Sequence, residues 1–320
     1  MRVTLAQIDS ALGDVAENVR RTREALRRAR ADSPDLVVFP ELTLTGYSLG
    51  EVSHDVSRAL ADDEIVELAQ ETADISCVVG FAEAGRVHTY NSAAFLEAGE
   101  IRHVHRKLYL PTYDIWEERK HFTPGGAMRA FDTRCGHMAI LLCSDAWQPA
   151  LAVLAVQDGA QVLIVPANST GRRSNIEAEW RDINRFYARM LECYVVFVNR
   201  VGQEGPLAFW GGSHVYDPWG ELVAEAPLDE PAVITVEAFG ESRACFEDVV
   251  GWLAGSEAAS LDHGPLEVDL SLLRMGSLDG ATWIERALDL RDELGPFRLG
   301  FLEALFRSAD QRASAGEQVG

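Results

Sequence analysis

Residues Met138 to Trp147, MAILLCSDAW, run five apolar or small side chains into a cysteine and then turn polar at once. An extended segment that is apolar on both faces needs cover on both sides, which places it as a strand between two layers. Ser144 and Asp145 supply turn chemistry, Asp145 and Gln148 stand at capping-box spacing, and Pro149 suits the first turn of a helix. The order is therefore strand, sharp turn, helix, with Cys143 at the elbow. Layered α/β architectures place reactive groups there, beyond the carboxyl end of a buried strand. An inert buried thiol is the alternative reading of this cysteine, and its partners elsewhere in the chain decide between the two.

The same pattern recurs along the chain. Residues 2 to 8 form an apolar strand, and Asp14 with Glu17 caps a helix whose inner stripe is Val19, Thr22, Leu26 and Ala29. LVVFP is a strand ending at Glu41, and a helix starts at Asp62 or Asp63. Residues 76 to 82 and 89 to 96 read as a hairpin, and residues 101 to 106 as a further strand reaching Lys107. After 138 to 142 come a helix from Pro149 to Gln157, the strand QVLIVPANST, and a helix from Ile176 to Glu192. YVVFVNRVG is a strand that leaves into a glycine-rich loop, and Phe209 to Gly220 and residues 232 to 237 complete the set. Strands in two comparable sets, interleaved with helices, predict an α/β fold of four layers. The body spans residues 1 to 238, and residues 239 to 320 read as a carboxy-terminal extension packing on it or on a partner subunit.

A chain of 320 residues with 47% hydrophobic content is an ordinary globular protein. Its formal charge of -21 excludes a basic face for nucleic acid, and no apolar run is long enough to span a bilayer. The amino terminus lacks the pattern of a secretory leader. Cysteines 77, 135, 143, 193 and 245 show no metal-binding spacing, as expected of thiols in a reducing compartment, so the expected location is cytoplasmic. His103 and His105 share a strand face without a third ligand at useful spacing, so they read as surface or packing residues and no metal is predicted.

Glu41, Lys107 and Cys143 each follow an apolar strand, so the ends of those strands converge in a layered sandwich. A thiol needs a base to become a nucleophile, and a carboxylate can accept its proton. A lysine favours the thiolate and stabilises an oxyanion, with the Ser144 backbone N–H as the natural second donor. That set suits acyl transfer from a C–N bond, with no cofactor. Glu41 alone also reads as an exposed turn acid. The segment from 107 to 126 is long, aromatic and charged, as functional loops are.

These motifs resemble those of the nitrilase or carbon–nitrogen hydrolase superfamily across roughly residues 1 to 238. FPELTLTGY contains Glu41, RKLYLPTY contains Lys107 and LLCSDAW contains Cys143, with YNSA, VPANS, VVFVNRVG and DPWG as further landmarks. The resemblance implies an αββα sandwich, often paired as a homodimer or higher homo-oligomer, and an amidase-type enzyme acting on a small-molecule amide or carbamoyl substrate without metal or organic cofactor. It also implies that Glu118, in YDIWEERKHF, is a second glutamate placed near the lysine and the substrate; a solvated loop acid is the other reading.

The loop LPTYDIWEERKHFTPG is similar to that of the glutaminase domains of glutamine-dependent NAD synthetases. About 80 residues follow the body here, without a phosphate-binding glycine loop, so the expectation is the amide-hydrolysing half alone. Ser144 stands where nitrilases usually have tryptophan, which favours amide over nitrile. Candidate substrate-binding residues are Tyr113, Trp147, Asn168, Arg172, Arg173 and Trp210. The two arginines read equally as an anion site or as a solvated pair.

Overall fold

The computed structural model describes residues 1–50, 53–112, 116–171 and 175–237. The expected carboxy-terminal extension lies outside the described residues. The unbroken apolar runs have a direct structural cause, because successive side chains of the central strands enter different cores. Val3, Leu5, Leu36, Val38, Val78 and Phe95 meet Met138, Ile140, Leu142, Ile164, Val196 and Val215 in one core between two sheets. Their neighbours Val37, Val79, Phe81 and Leu96 point the other way into a core with Val19 and Leu26 of a helix. Leu141, Leu163, Val165 and Phe197 do the same on the far side, against Leu151, Trp180 and Tyr187. Burial on both faces is what permits, and requires, runs without polar alternation.

The first sheet contains β1 (Arg2–Gln7), β2 (Leu36–Val38), β3 (Ser76–Ala84), β4 (Thr89–Glu97), β5 (Glu100–Arg106) and β14 (Ala232–Glu237), in the order β14-β1-β2-β3-β4-β5. The second contains β6 (Ala130–Thr133), β7 (Gly136–Ile140), β8 (Val162–Ala167), β9 (Tyr194–Asn199), β12 (His214–Tyr216) and β13 (Leu222–Glu225), in the order β13-β12-β9-β8-β7-β6. In each, three central strands run parallel and the margins are antiparallel. Helices α1 (Val15–Ala29) and α3 (Asp63–Gln70) cover the first sheet; α5 (Pro149–Gln157) and α6 (Ile176–Leu191) cover the second. The short helices α2 (Ser53–Val56) and α4 (Glu118–His121) lie in connections. This is the four-layer αββα arrangement that the strand pattern and the resemblance imply. Among the described residues no helix is long and apolar enough to cross a membrane.

Two local expectations are corrected. The stretch after β9 is not a glycine-rich loop but an antiparallel ribbon of β10 (Val201–Glu204) and β11 (Leu207–Trp210). Gly202, Gln203 and Glu204 hide it, since they give a four-residue strand no apolar face to recognise. Asp145 does not cap α5 with Gln148. Gln148 is itself the N-cap residue, and the Asp145 carboxylate is engaged elsewhere.

Candidate active site

Glu41 leaves the end of β2 in a turn braced from below by β3. Phe39 N–H donates to Val78 O and Leu44 N–H to Gly80 O, at 2.9 and 3.0 Å. A Cβ at residue 80 would collide with the backbone of Pro40, Glu41 and Leu42, so only glycine lets this turn lie flat on the strand. Leu42 then takes a left-handed φ of 48°, and Thr43 Oγ1 donates to Pro40 O at 2.6 Å. The turn directs the Glu41 side chain inward, where it is fully buried.

Lys107 leaves β5 with its own N–H on Asn91 O, and its carbonyl accepts from Gly125 N–H, both at 2.8 Å. Its ammonium donates to Glu41 Oε1 at 2.6 Å and to Glu118 Oε1 at 2.8 Å. Asn91 Nδ2 donates to Glu41 Oε1 at 2.8 Å, and the Asn168 N–H to Glu41 Oε2 at 2.9 Å. Tyr47 completes the group, its hydroxyl donating to Glu118 Oε1 at 2.6 Å. The cation and both carboxylates are thus buried with their charges paired.

Cys143 follows β7 at the start of a 3-10 turn (Cys143–Trp147) and adopts φ of 45°. A left-handed residue with a side chain costs about 1–2 kcal/mol, so the elbow must be held from outside. Asp145 does this. Its carboxylate accepts from Leu142 N–H (3.3 Å), Leu108 N–H (3.0 Å), Tyr109 N–H (2.8 Å) and His105 Nε2–H (2.9 Å). One side chain thereby ties the residues just after Lys107 to the residue just before Cys143. The Ser144 hydroxyl adds a bond to Tyr109 O across the same seam.

The electrostatics follow from burial and neighbours. Burial, reinforced by the facing Glu41 charge, pushes the Cys143 thiol well up, while Lys107 and the Asn168 backbone pull it down. The resting group is a thiol beside a carboxylate. Burial would lower Lys107, but the attraction of Glu118 and Glu41 outweighs it and keeps the ammonium charged. Glu118 is raised by burial to about 6 despite Lys107. Tyr47 is raised well above the usual phenol range, first by burial and then by Glu118 and Glu41, so its hydroxyl is a permanent donor.

The structure therefore brings together Glu41, Lys107, Glu118 and Cys143, with the Asn168 backbone among them. The Asn168 side-chain amide is buried, and neither of its polar atoms has a partner among the described residues. Trp147 is half-buried, edge-on to Trp180 at 5.3 Å. Trp210 is buried in the core, 5.9 Å from Phe197, with its indole N–H on Ser169 Oγ at 3.2 Å. Tyr113, Arg172 and Arg173 lie outside the described residues. Sequence reading missed Tyr47, Asn91 and the His105–Asp145 pair as site residues. The first two sit inside the motifs FPELTLTGY and YNSA, but only the fold shows which way they point.

The sequence and the αββα sandwich are matched in known proteins. The family model for carbon-nitrogen hydrolases matches residues 2–239. A glutamine-dependent NAD(+) synthetase from Thermotoga maritima is 32% identical over 74% of this chain and 42% of its own length, so the chain spans less than half of that relative. An (R)-stereoselective amidase from a Pseudomonas species is 32% identical over 72% of this chain and 82% of its own. A crystal structure of a carbon-nitrogen hydrolase from Helicobacter pylori superposes with a TM-score of 0.71 at 24% identity, covering 80% and 95% of the two chains. The chain is a member of the carbon-nitrogen hydrolase family, a hydrolase of the nitrilase superfamily with an amidase-type fold.

Proposed function

We propose that the chain hydrolyses a small or medium primary amide to a carboxylic acid and ammonia through a thioacyl-enzyme on Cys143. The observation that carries this reading is the buried Lys107 ammonium held between Glu41 and Glu118, with the thiol facing all three. Glu41 accepts the thiol proton as Sγ attacks the carbonyl carbon. Lys107 and the Ser144 backbone N–H stabilise the oxyanion, and Glu118 receives the substrate N–H. The C–N bond breaks as Glu41 returns its proton to nitrogen, and ammonia leaves. Water then attacks the thioester, giving its proton to Glu41, and collapse releases the acid and restores the thiol. The cycle uses only protein groups and water.

Two further features support an amide. Ser144 replaces the tryptophan that usually follows a nitrilase nucleophile, and the Pseudomonas relative of similar length is named an amidase. The synthetase relatives are named as glutamine-dependent, which favours a terminal carboxamide. A homodimer across α6 belongs to the same proposal. The outer face of α5 and α6 carries a shallow apolar groove of about 390 Å³ lined by Trp147, Pro149, Ile183, Phe186 and Tyr187, with Asp182 at its edge.

The test is ammonia release from a panel of primary amides, carbamoyl amino acids and nitriles, with Cys143→Ala run in parallel. Release from amides alone, reduced at least about 10³-fold in the variant, is expected. Equal release by variant and parent would remove the thiol from the mechanism, and a new amide in place of free acid would reassign it to acyl transfer.

A further inference from the structure

Away from the reacting positions the chain buries a second strong charge. Arg200 is fully covered, with its guanidinium 4.3 Å over the Phe209 ring. It donates to Asp9 Oδ1 at 2.9 and 3.0 Å, to Ser10 O at 2.6 Å and to Glu204 Oε2 at 2.6 Å. A buried guanidinium is tolerated only when its donors are occupied, and here they hold two carboxylates, Asp9 and Glu204. Glu204 in turn accepts from the Tyr47 N–H at 3.1 Å and the Ser48 N–H at 2.5 Å. Gly46, at φ of 79°, lets that loop close on Glu204 and on the Leu12 backbone.

The held loop reaches the site through one side chain. The Tyr47 ring is edge-on to Trp116 at 5.3 Å, and its hydroxyl lands on Glu118 Oε1, the oxygen that Lys107 also engages. Two donors on one oxygen leave the other, Oε2, buried and without a hydrogen-bond partner among the described residues. A buried carboxylate oxygen with no donor is expensive, and the expense disappears when a ligand supplies an N–H. The amide of Asn168, beside Glu41, is a second buried polar group without a partner among the described residues.

We infer that Tyr47, held by the Arg200–Glu204 pair, is a positioning residue that fixes Glu118 with Oε2 free for the substrate nitrogen, and so sets the preference of the site for a carboxamide N–H₂. This rests on the amide reading above. The groups facing Glu118 are Lys107, Glu41, Cys143 and Tyr47. Burial raises its carboxyl to about 6, and the Tyr47 hydrogen bond opposes that rise. Loss of the hydroxyl therefore moves the carboxyl further up.

The test compares two reagents on the intact chain, followed on the Cys143 peptide by mass spectrometry. Iodoacetamide carries a primary carboxamide and loses iodide as the S–C bond forms. Methyl methanethiosulfonate carries no amide and loses methanesulfinate as the S–S bond forms. Both need the thiolate, so the ratio of their rates isolates recognition of the amide. In the parent chain the ratio is expected to exceed that of free glutathione and to rise as the pH passes through about 6. Tyr47→Phe is expected to lower it about tenfold, the worth of a hydrogen bond to a charged group. The same variant moves the rise to higher pH, and any change in the Cys143 thiolate population alters both rates and cancels in the ratio. Glu204→Gln moves the ratio the same way by less, since one acceptor remains.

A Tyr47→Phe chain that keeps both the ratio and its pH position overturns the inference while leaving the amide reading intact. A parent ratio equal to that of glutathione overturns the amide reading itself. A ratio that collapses in Tyr47→Phe but not in Glu204→Gln removes the Arg200–Glu204 pair from the argument.

Discussion

Lys107 keeps its charge where burial alone would remove it, because two carboxylates share it. The three groups act as one electrostatic unit, so deleting the cation is costlier than losing an ion pair on the surface. Lys107→Met leaves Glu41 and Glu118 buried together without a counter-charge. The expected loss is about 3–5 kcal/mol near neutral pH. The sign with pH follows. Without the cation the Glu118 carboxyl, already raised by burial, rises further above its unfolded value, so the folded variant holds extra protons between the two. Its stability deficit therefore shrinks as the pH falls toward about 5 and grows toward about 8. Urea unfolding of parent and variant at both values measures this; a deficit independent of pH would mean that the carboxylates do not share the lysine.

At the scale of elements, His214 shows how β12 is fastened to α6. It is fully buried, with Nδ1–H donating to Gly212 O at 2.8 Å and Nε2 accepting from Asn184 Nδ2 at 2.9 Å. The bond accepted from Asn184 needs the neutral ring, and burial, the larger cause, lowers its pKa to about 4 against the Gly212 bond, which favours the charged form. His103, stacked on Phe131 at 4.1 Å, is lowered by burial to about 4 as well. A base depressed in the folded state lets the unfolded chain bind more protons between about pH 4 and 6.5, so stability rises with pH across that window. The fully buried His214 accounts for about 3 kcal/mol of the change, and the partly exposed His103 for less, because solvent screens it. His214→Gln is expected to remove the larger share of the histidine contribution to the slope in unfolding free energy over that range. An unaltered slope would mean that the ring is protonated in the folded protein.

At the scale of the whole molecule, α6 presents Asp182, Phe186, Arg189 and Met190 at intervals that share one exposed helix face. Phe186 lies midway between an acid and a base, so two copies related by a two-fold axis there set Asp182 of one opposite Arg189 of the other. Self-complementarity of this kind is what an isologous dimer needs. Phe186→Asp is expected to weaken self-association about thirtyfold or more, as for a central aromatic anchor, read by sedimentation equilibrium. A parent chain that sediments as a monomer at all concentrations would remove the dimer.

Patterns short enough to read along the chain were legible before any fold was known. Glu41 and Cys143 are each announced by the apolar strand before them, Lys107 by the long aromatic and charged loop that it opens, and α5 and α6 begin and end within a residue of their helical pattern. The four layers follow from strands apolar on both faces. What tertiary structure alone decided are the links that cross long stretches of chain. Asp145 has the spacing of a helix cap, yet its carboxylate serves N–H groups 36 and 37 residues away. Tyr47 meets Glu118 across 71 residues and Glu204 across 157. Local sequence determines which groups are apolar, turning or charged, because propensity and periodicity act over a few residues. Which oxygen faces which donor depends on where two sheets bring distant strand ends together, and no local signal encodes that.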